Sequence, residues 1–402
     1  MKTVLVAGLG VVSPHGDDTE RMFAALMRSE SAVRPIFPEL AKPAAAAAVA
    51  FDESRWFNKL QLAGVDRVSQ MAVAAASLAL ADAGGLKDID PDRVGVYVGC
   101  GMGGAHALDL AYRSAERVPP LTIPAYMPNA PAAHVALRHG TKGPVLTYSV
   151  ACASSSVAIA EAAKAIRNGD VDVAIAGGSE ALLVPGVVMA WQAMMTLAHV
   201  AADGEVSTAC RPFASDRSGF VLGEGAAFMV LESDERARAR GARSYAELAG
   251  WGLSCDATHL TKPDAAGQER AMRTALRMAG LNAADVGYCN AHGTATKIGD
   301  SVEASALRAV WGSAIDRLQV SSTKALHGHL LGAAGAIEAV VTVLALHHGR
   351  LPPNAHTFNP DATLGLQLVP PQGQTDADLR AAVSSSFAFG GTNSVLAFRR
   401  PA

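Results

Sequence analysis

Val145-Leu146-Thr147-Tyr148-Ser149-Val150 enters Ala151-Cys152-Ala153-Ser154-Ser155-Ser156, and in the second half of the chain Leu318-Gln319-Val320-Ser321-Ser322 enters Thr323-Lys324. Each reads as a strand that ends in small residues and gives way to a helical pattern, over 157–167 in one case and 336–347 in the other. Two more correspondences keep the same order. A helical stretch at 69–83, a turn at 92–95 and a strand at 96–98 running into the Gly-rich 99–104 match a helix at 269–279, a turn at 285–287 and a strand at 288–290 leading into His292-Gly293-Thr294. The run 220–225 followed by an apolar strand at 227–231 matches 387–392 followed by 394–398. Three matches in one order imply an internal duplication, and strands alternating with helices imply an α/β protein. The expected architecture is two duplicated α/β halves, 1–240 and 241–402, with stacked mixed sheets sharing a central helical layer. The Arg-rich junction at 236–243 reads as a solvated helix end. Cys152, His292, Lys324, His329 and Phe389 all fall at strand ends, and ligands bind at the carboxyl ends of strands in open α/β sheets.

Composition narrows the function classes. The chain has 402 residues, ample for a large core, with 34 Lys plus Arg against 37 Asp plus Glu and a net charge of −3, so no nucleic-acid footprint is expected. Half of the residues are hydrophobic and 18% are charged, which argues against disorder. Aromatics are only 5%, so the core must rest on Ala, Val and Leu. Five cysteines with no C-x-x-C pair give neither a fully paired disulfide set nor a zinc spacing. The short apolar start, broken by glycines, reads as a buried first strand and not as a secretory leader. Residues 181–202 carry no formal charge and are long enough to span a bilayer. Pro185-Gly186, Gln192, Thr196 and His199 interrupt them, so a helix in a core or subunit interface is expected. The chain is thus read as soluble and cytoplasmic, without membrane insertion.

Cys152 carries the chemistry. It sits at a strand-to-helix turn among small residues that admit another molecule, and a helix N-terminus there favours thiolate and lowers the thiol pKa. That describes a nucleophile for acyl transfer, although a free thiol is more often a buried structural residue. His292 lies in Ala291-His292-Gly293-Thr294-Ala295-Thr296, ahead of Gly299-Asp300 and Glu303. His329 lies in His327-Gly328-His329-Leu330-Leu331-Gly332-Ala333-Ala334-Gly335, with Glu338 beyond. No third metal ligand has a useful spacing, so no metal is expected. The run 99–104 matches G-x-G-x-x-G, but no acidic residue follows about 20 positions on, and Pro119-Pro120 and Pro124 come instead. It reads as a pocket wall of small residues, not as a nicotinamide site.

These motifs resemble the elongating β-ketoacyl-[acyl-carrier-protein] synthases of the thiolase-like superfamily. They are Ala151-Cys152 after a strand, His-Gly-Thr-x-Thr at His292, Ser-Thr-Lys at 322–324, Gly-His-Leu-Leu-Gly-Ala-Ala-Gly at 328–335 and Phe-Gly-Gly-Thr-Asn at 389–393, together with 211–213 and 219–223. The resemblance runs over nearly the whole chain. It implies a thiolase-like fold, with the nucleophile in the first half and both histidines in the second. It also implies a decarboxylative Claisen condensation: an acyl group on Cys152 joins malonyl-acyl-carrier protein to give a 3-oxoacyl-carrier protein two carbons longer. In this scheme His292 and His329 decarboxylate the malonyl unit, and Lys324 and Glu338 hold His329 in a charge network. Phe389 gates the pocket and shares an oxyanion hole with the Cys152 backbone, while Thr294, Thr296 and Met102 line the substrate site. The implied partners are an acyl carrier protein, malonyl and acyl thioesters, and a second copy or a related ketosynthase-like chain. No cofactor is implied beyond the phosphopantetheine arm that the carrier supplies.

Departures from the pattern sharpen the expectation. Lys297 stands where the family usually has proline, and His327 adds an imidazole read as solvent-facing. The segment 59–66, often basic in relatives, has only Lys59, with Arg67 just beyond. This thinned docking surface favours specialised polyketide or polyene biosynthesis over housekeeping fatty acid synthesis. The alternatives are a non-catalytic chain-length partner subunit, against which Cys152 stands, a degradative thiolase or starter-type synthase, against which the two histidines stand, and a cysteine hydrolase.

Overall fold

The computed structural model describes residues 2–114, 117–200 and 205–401. Among the described residues, eleven strands form one sheet: β1 (Val4–Val12), β2 (Val94–Gly99), β3 (Val145–Tyr148), β4 (Val173–Glu180), β5 (Gly225–Ser233), β6 (Ala246–Cys255), β7 (Val286–Asn290), β8 (Gln319–Ser321), β9 (Gln367–Leu368), β10 (Ala381–Phe387) and β11 (Thr392–Arg399). Their spatial order is β9-β8-β7-β10-β11-β6-β1-β5-β4-β2-β3. Outward from the centre, the first half runs β1-β5-β4-β2-β3 and the second β6-β11-β10-β7-β8. Each half has two antiparallel pairings followed by two parallel ones. The duplication seen in the sequence is therefore a duplication of topology. One feature was not expected. The two sheets are stitched into one where Leu5 pairs with Glu247 and Val6 with Ala246.

Among the described residues, four helices of 15 or 16 residues do most of the covering of this sheet: α1 (Arg67–Asp82), α2 (Ser154–Asn168), α3 (Ala265–Ala279) and α4 (Ala334–His348). The central layer is α2 and α4, each touching the other and strands of both halves. Apolar residues occupy the whole circumference of α4, and a helix of that kind stays folded only when buried on all sides. Ile337, Val340, Val341 and Leu344 are fully buried. The helical stretch Leu331–His348 is long and apolar enough to cross a membrane, but 89% of it is buried in this centre. The outer faces carry α1 against β1 and α3 against β6. A Cβ at Gly8 or Gly10 of β1 would strike the carbonyls of Ala79 and Ala75 in α1. Gly250 and Gly252 of β6 stand in the same relation to Ala275 and Ala271 in α3. Glycines in a strand thus mark close backbone approach, once in each half.

Two sequence expectations need correction here. The Arg-rich junction is only partly solvated: Arg236 and Arg240 pair with the buried Glu232, and Arg243 pairs with Asp82, while Arg238 remains exposed. Such pairing ties the junction to the ends of β5 and α1. Of the two places expected for a helix in the uncharged stretch 181–202, a core or a subunit interface, the core of this chain is not the one it occupies. It forms a nine-residue helix, Pro185–Ala193, that buries only Val188. Positions 201 and 202 lie outside the described residues.

Candidate active site

Cys152 is delivered by a strained elbow. Ala151 has φ +49°, a left-handed conformation costly for a residue with a Cβ. The Ser154 hydroxyl holds the turn, donating to the Ala151 carbonyl at 2.6 Å and accepting the Val150 N–H at 2.9 Å. A one-turn 3₁₀ segment, Ala151–Ala153, then runs into α2. The second half repeats the device at Leu331, φ +47°, with Leu331–Ala333 running into α4. The geometric counterpart of Cys152 is therefore Gly332, and not a residue near Thr323-Lys324 as the sequence suggested. Residues 323–330 are an insertion between β8 and this elbow, and they carry Lys324 and His329. Gly332 has no room for a side chain, because a Cβ would collide with Glu180 and with the Gly101 backbone. The buried Glu180 carboxylate accepts the N–H groups of Gly101, Gly332 and Met102 at 2.7, 3.0 and 3.3 Å, and burial pushes its pKa up to about 7.

The insertion brings His329 to the thiol. Its backbone N–H donates to Val221 O at 2.7 Å, and its carbonyl accepts the Gly223 N–H at 2.9 Å. The ring Nδ1 accepts the Leu331 N–H at 3.3 Å. A backbone N–H can only donate, so Nδ1 is bare and the proton sits on Nε2. That Nε2 lies 3.1 Å from Cys152 Sγ. His292 stands edge-on to His329, with ring centroids 5.5 Å apart and an 82° interplanar angle. Its loop is held by Glu303, which accepts the N–H groups of His292 and Gly293 at 2.8 and 2.7 Å. Sequence reasoning gave Glu303 no role. The signal was the pair Asp300 and Glu303, three apart on the helix that follows the His292 loop; both are buried, Glu303 on that loop and Asp300 on the Phe213 N–H at 2.7 Å.

Charge tunes the cluster. Lys324 Nζ meets Glu338 Oε1 at 2.5 Å with both side chains fully buried. This pair makes no hydrogen bond to the His329 ring, which Leu331 holds, so Lys324 acts on it through its field. Burial, and after it the Lys324 charge, drives the pKa of both His292 and His329 well below 6.5, so both rings are neutral at physiological pH. The Cys152 thiol does not show the net depression expected of a helix N-terminus. Burial pushes it up to about 12, against the opposing pull of Lys324 and of the Cys152 and Phe389 N–H groups. The same two N–H groups that reach Sγ are placed to bind an oxyanion beside it.

A cavity of about 510 Å³ opens above this cluster, lined by Cys152, His292, His329, Thr294, Thr296 and Phe389 among others. Phe389 stacks on Trp191, with centroids 6.2 Å apart, and is followed by two glycines at φ +87° and +79°. Met102 does not line this cavity. It lies 47% exposed at the end of β2, with its N–H bound to Glu180. His327, expected to face solvent, is fully buried. Among the described residues, Cys152, His292 and His329 form a group compact enough to hold a metal, with ligand atoms within 4.8 Å of one another. A metal on His329 Nε2 would send the ring proton to Nδ1, which already accepts the Leu331 N–H, so the donor set is poorly suited to zinc.

A strained cysteine elbow with two neutral histidines, at the meeting of two duplicated halves, defines a condensing enzyme of the thiolase-like fold. The chain belongs to the β-ketoacyl synthases: residues 1–237 match the family's N-terminal domain and 245–358 its C-terminal domain. It is 37% identical to 3-oxoacyl-[acyl-carrier-protein] synthase 2 of Staphylococcus aureus (strain N315), over 99% of this chain and 98% of that one. It is 41% identical to Nodulation protein E of Rhizobium meliloti, over 99% of each. Its structure superposes on the ishigamide ketosynthase/chain length factor with a TM-score of 0.91 at 33% identity, covering all of both chains. A type II polyketide synthase complex of acyl-carrier protein with its ketosynthase, bound to the hexaketide, gives 0.90 at 29% identity, again covering all of both.

Proposed function

We propose that this chain carries out decarboxylative condensation of an acyl group on Cys152 with a malonyl-carrier thioester, in specialised polyketide or polyene biosynthesis. The observation that carries the reading is the Nε2–H of a neutral His329 aimed at Cys152 Sγ from 3.1 Å, on the floor of a cavity shared with His292. Acyl transfer exchanges one thioester for another: Cys152 Sγ attacks the carrier thioester, and the thiol proton leaves with the pantetheine sulfur. The thiolate formed on the way is supported by Lys324 and by the Cys152 and Phe389 N–H groups. Malonyl-carrier protein then loses carbon dioxide, and the enolate oxygen is met by the two imidazoles. The carbanion attacks the Cys152 thioester, whose oxyanion rests on the same two N–H groups, and collapse breaks the carbon–sulfur bond and releases Cys152 as a thiolate, which takes a proton from solvent. Each such donor supplies roughly 2.7–4 kcal/mol at the transition state.

Features of the surface support the reading of the partners. β3 is an open sheet edge of four residues with Val145 and Leu146 exposed, so its free backbone groups and apolar side chains offer a surface on which another chain can pair. We assign it to a second copy or a related ketosynthase-like chain, in line with the ketosynthase/chain length factor relative. The carrier meets an unusual surface: Leu60 is 88% exposed beside Lys59, and Arg67 is committed to Glu224 and to the Val49 carbonyl. Lys262 and Lys297 are exposed at the cavity lining and supply cations there. A dedicated carrier protein fits this surface better than the general fatty-acid carrier. The enzyme is read as cytoplasmic and as needing no cofactor of its own.

Mass analysis of products from an acyl primer and malonyl-carrier protein tests the reaction, run with the general carrier and with one encoded for a specialised pathway. A 3-oxoacyl product, acyl-Cys152 as its intermediate and faster turnover with the specialised carrier are expected. Free acid without condensation product would overturn the reaction, and equal turnover would overturn the carrier assignment.

A further inference from the structure

We propose that His327 is a positioning residue for His329, fixing the peptide unit through which His329 enters the site. This rests on the condensing-enzyme reading for its kinetic consequence, but on geometry alone for the positioning. His327 Nδ1 lies 2.7 Å from the Gly328 carbonyl oxygen, and Nε2 lies 2.9 Å from Thr323 Oγ1. A carbonyl only accepts, so Nδ1 carries the proton and Nε2 accepts from the Thr323 hydroxyl. Both ring nitrogens are therefore satisfied, as a fully buried imidazole requires.

What the ring holds is specific. The C=O of Gly328 and the N–H of His329 belong to one peptide unit. His327 binds its carbonyl and Val221 O binds its N–H, also at 2.7 Å. A planar unit fixed at both ends cannot rotate, so the direction in which His329 leaves the backbone is set. Gly328 itself gives no restraint, since it sits at φ +71° and glycine tolerates alternatives. On its other side the ring reaches Thr323, the residue preceding the one-turn helix Lys324–His327. One imidazole thus closes the turn that presents Lys324 at its start and His329 just past its end.

The test reads three quantities on the full chain: acylation of Cys152 by an acyl thioester, decarboxylation of a malonyl thioester, and the ¹⁵N-imidazole spectrum of His329. In His327→Phe, which keeps ring volume and removes both nitrogens, decarboxylation should fall about ten- to hundred-fold through kcat, as for a misplaced catalytic group. Acylation should be unchanged, and the single Nε2–H form of His329 should be lost. His327→Asn keeps a donor at the Nδ1 position and should restore both decarboxylation and the spectrum. A His327→Phe protein with unchanged decarboxylation and spectrum overturns the proposal, and so does a His327→Asn protein as impaired as His327→Phe. If His327→Phe does not fold, the His329 spectrum of His327→Asn decides alone, and a displaced ring there overturns the assignment. An unmodified chain that decarboxylates nothing would sink the condensing-enzyme reading, while the His329 spectrum would still judge the positioning.

Discussion

His329 Nε2 and Cys152 Sγ stand 3.1 Å apart across 177 positions of sequence. Each precedes one of the two central helices, Cys152 ahead of α2 and His329 ahead of α4, and those helices pack on each other inside the sheet. The separation is therefore set by a close-packed core and not by the flexibility of two loops. Preorganisation of this kind makes a hydrogen bond useful to a transition state, because no reorganisation is left to do when charge develops.

Removing that donor should separate the two half-reactions. His329→Ala leaves the Cys152 and Phe389 N–H groups untouched, so Cys152 should still take an acyl group from a thioester. Loss of one oxyanion donor of about 2.7–4 kcal/mol should cut condensation about 10²–10³-fold. Single-turnover acylation and steady-state condensation, measured on the same protein, check this. Near wild-type condensation would remove His329 from the mechanism.

The pH profile carries a sign. Burial holds both imidazoles well below 6.5, so the neutral forms persist as pH falls through the range where an ordinary histidine gains its proton. The decarboxylation kcat should show no titration near 6.5 and should fall only at more acid pH. Cys152, pushed up to about 12, is a thiol across the same range, so no thiolate titration should show near 8.5 in alkylation by a neutral reagent. An inflection at 6.5 in decarboxylation, or at 8.5 in alkylation, contradicts the assigned protonation states.

Gly332 tests the duplicated elbow. A methyl there must displace the Glu180 carboxylate from the backbone groups of Gly101 and Gly332. Gly332→Ala should cost about 1–3 kcal/mol as overpacking in a tight core. It should also loosen the Gly101-Met102 loop, since Glu180 holds both N–H groups. Denaturant midpoints and amide exchange at Gly101 and Met102 would show it. A protein of unchanged midpoint would mean that the contact is soft.

The duplication was legible in alternating strand and helix periods, and the gathering of Cys152, His292 and His329 in polar motifs just past strand ends, although the 323–330 insertion, and not an equivalent strand exit, brings His329 there. The stitch between β1 and β6 was not, since Leu5-Val6 and Glu247-Ala246 read like any strand residues and pairing partners leave no mark on either segment. The second elbow was hidden because a leucine at positive φ has no sequence signature. His327 and Met102 misled in opposite directions. A histidine between leucine and glycine gives no sign that Thr323 and the Gly328 carbonyl wait to bond it, and a methionine in a glycine-rich run gives no sign that it stays at the surface. The thiol pKa differed from the expectation because burial outweighs the downward pull, which comes from Lys324 and the Cys152 and Phe389 N–H groups.

Lys324 and Glu338 offer the last separation, between holding the fold and tuning the site. Their charges meet with no solvent exposure, so removing one leaves the other buried and alone, a loss of about 3–5 kcal/mol. Lys324→Met alone should therefore lower the melting temperature sharply, and its activity would say little. Replacing the pair together, Lys324→Met with Glu338→Leu, removes both charges and fills similar volume, and such exchanges are often neutral in stability or stabilising. The double variant should melt near the wild type. It should nonetheless acylate Cys152 more slowly, because the Lys324 charge is the largest influence that favours thiolate there, and the Glu338 charge opposes it. Removing Lys324 also releases the field that keeps His292 and His329 from protonating, so the acid limb of condensation should move toward neutral pH. A double variant with restored melting, unchanged acylation and an unmoved acid limb would make the pair purely structural.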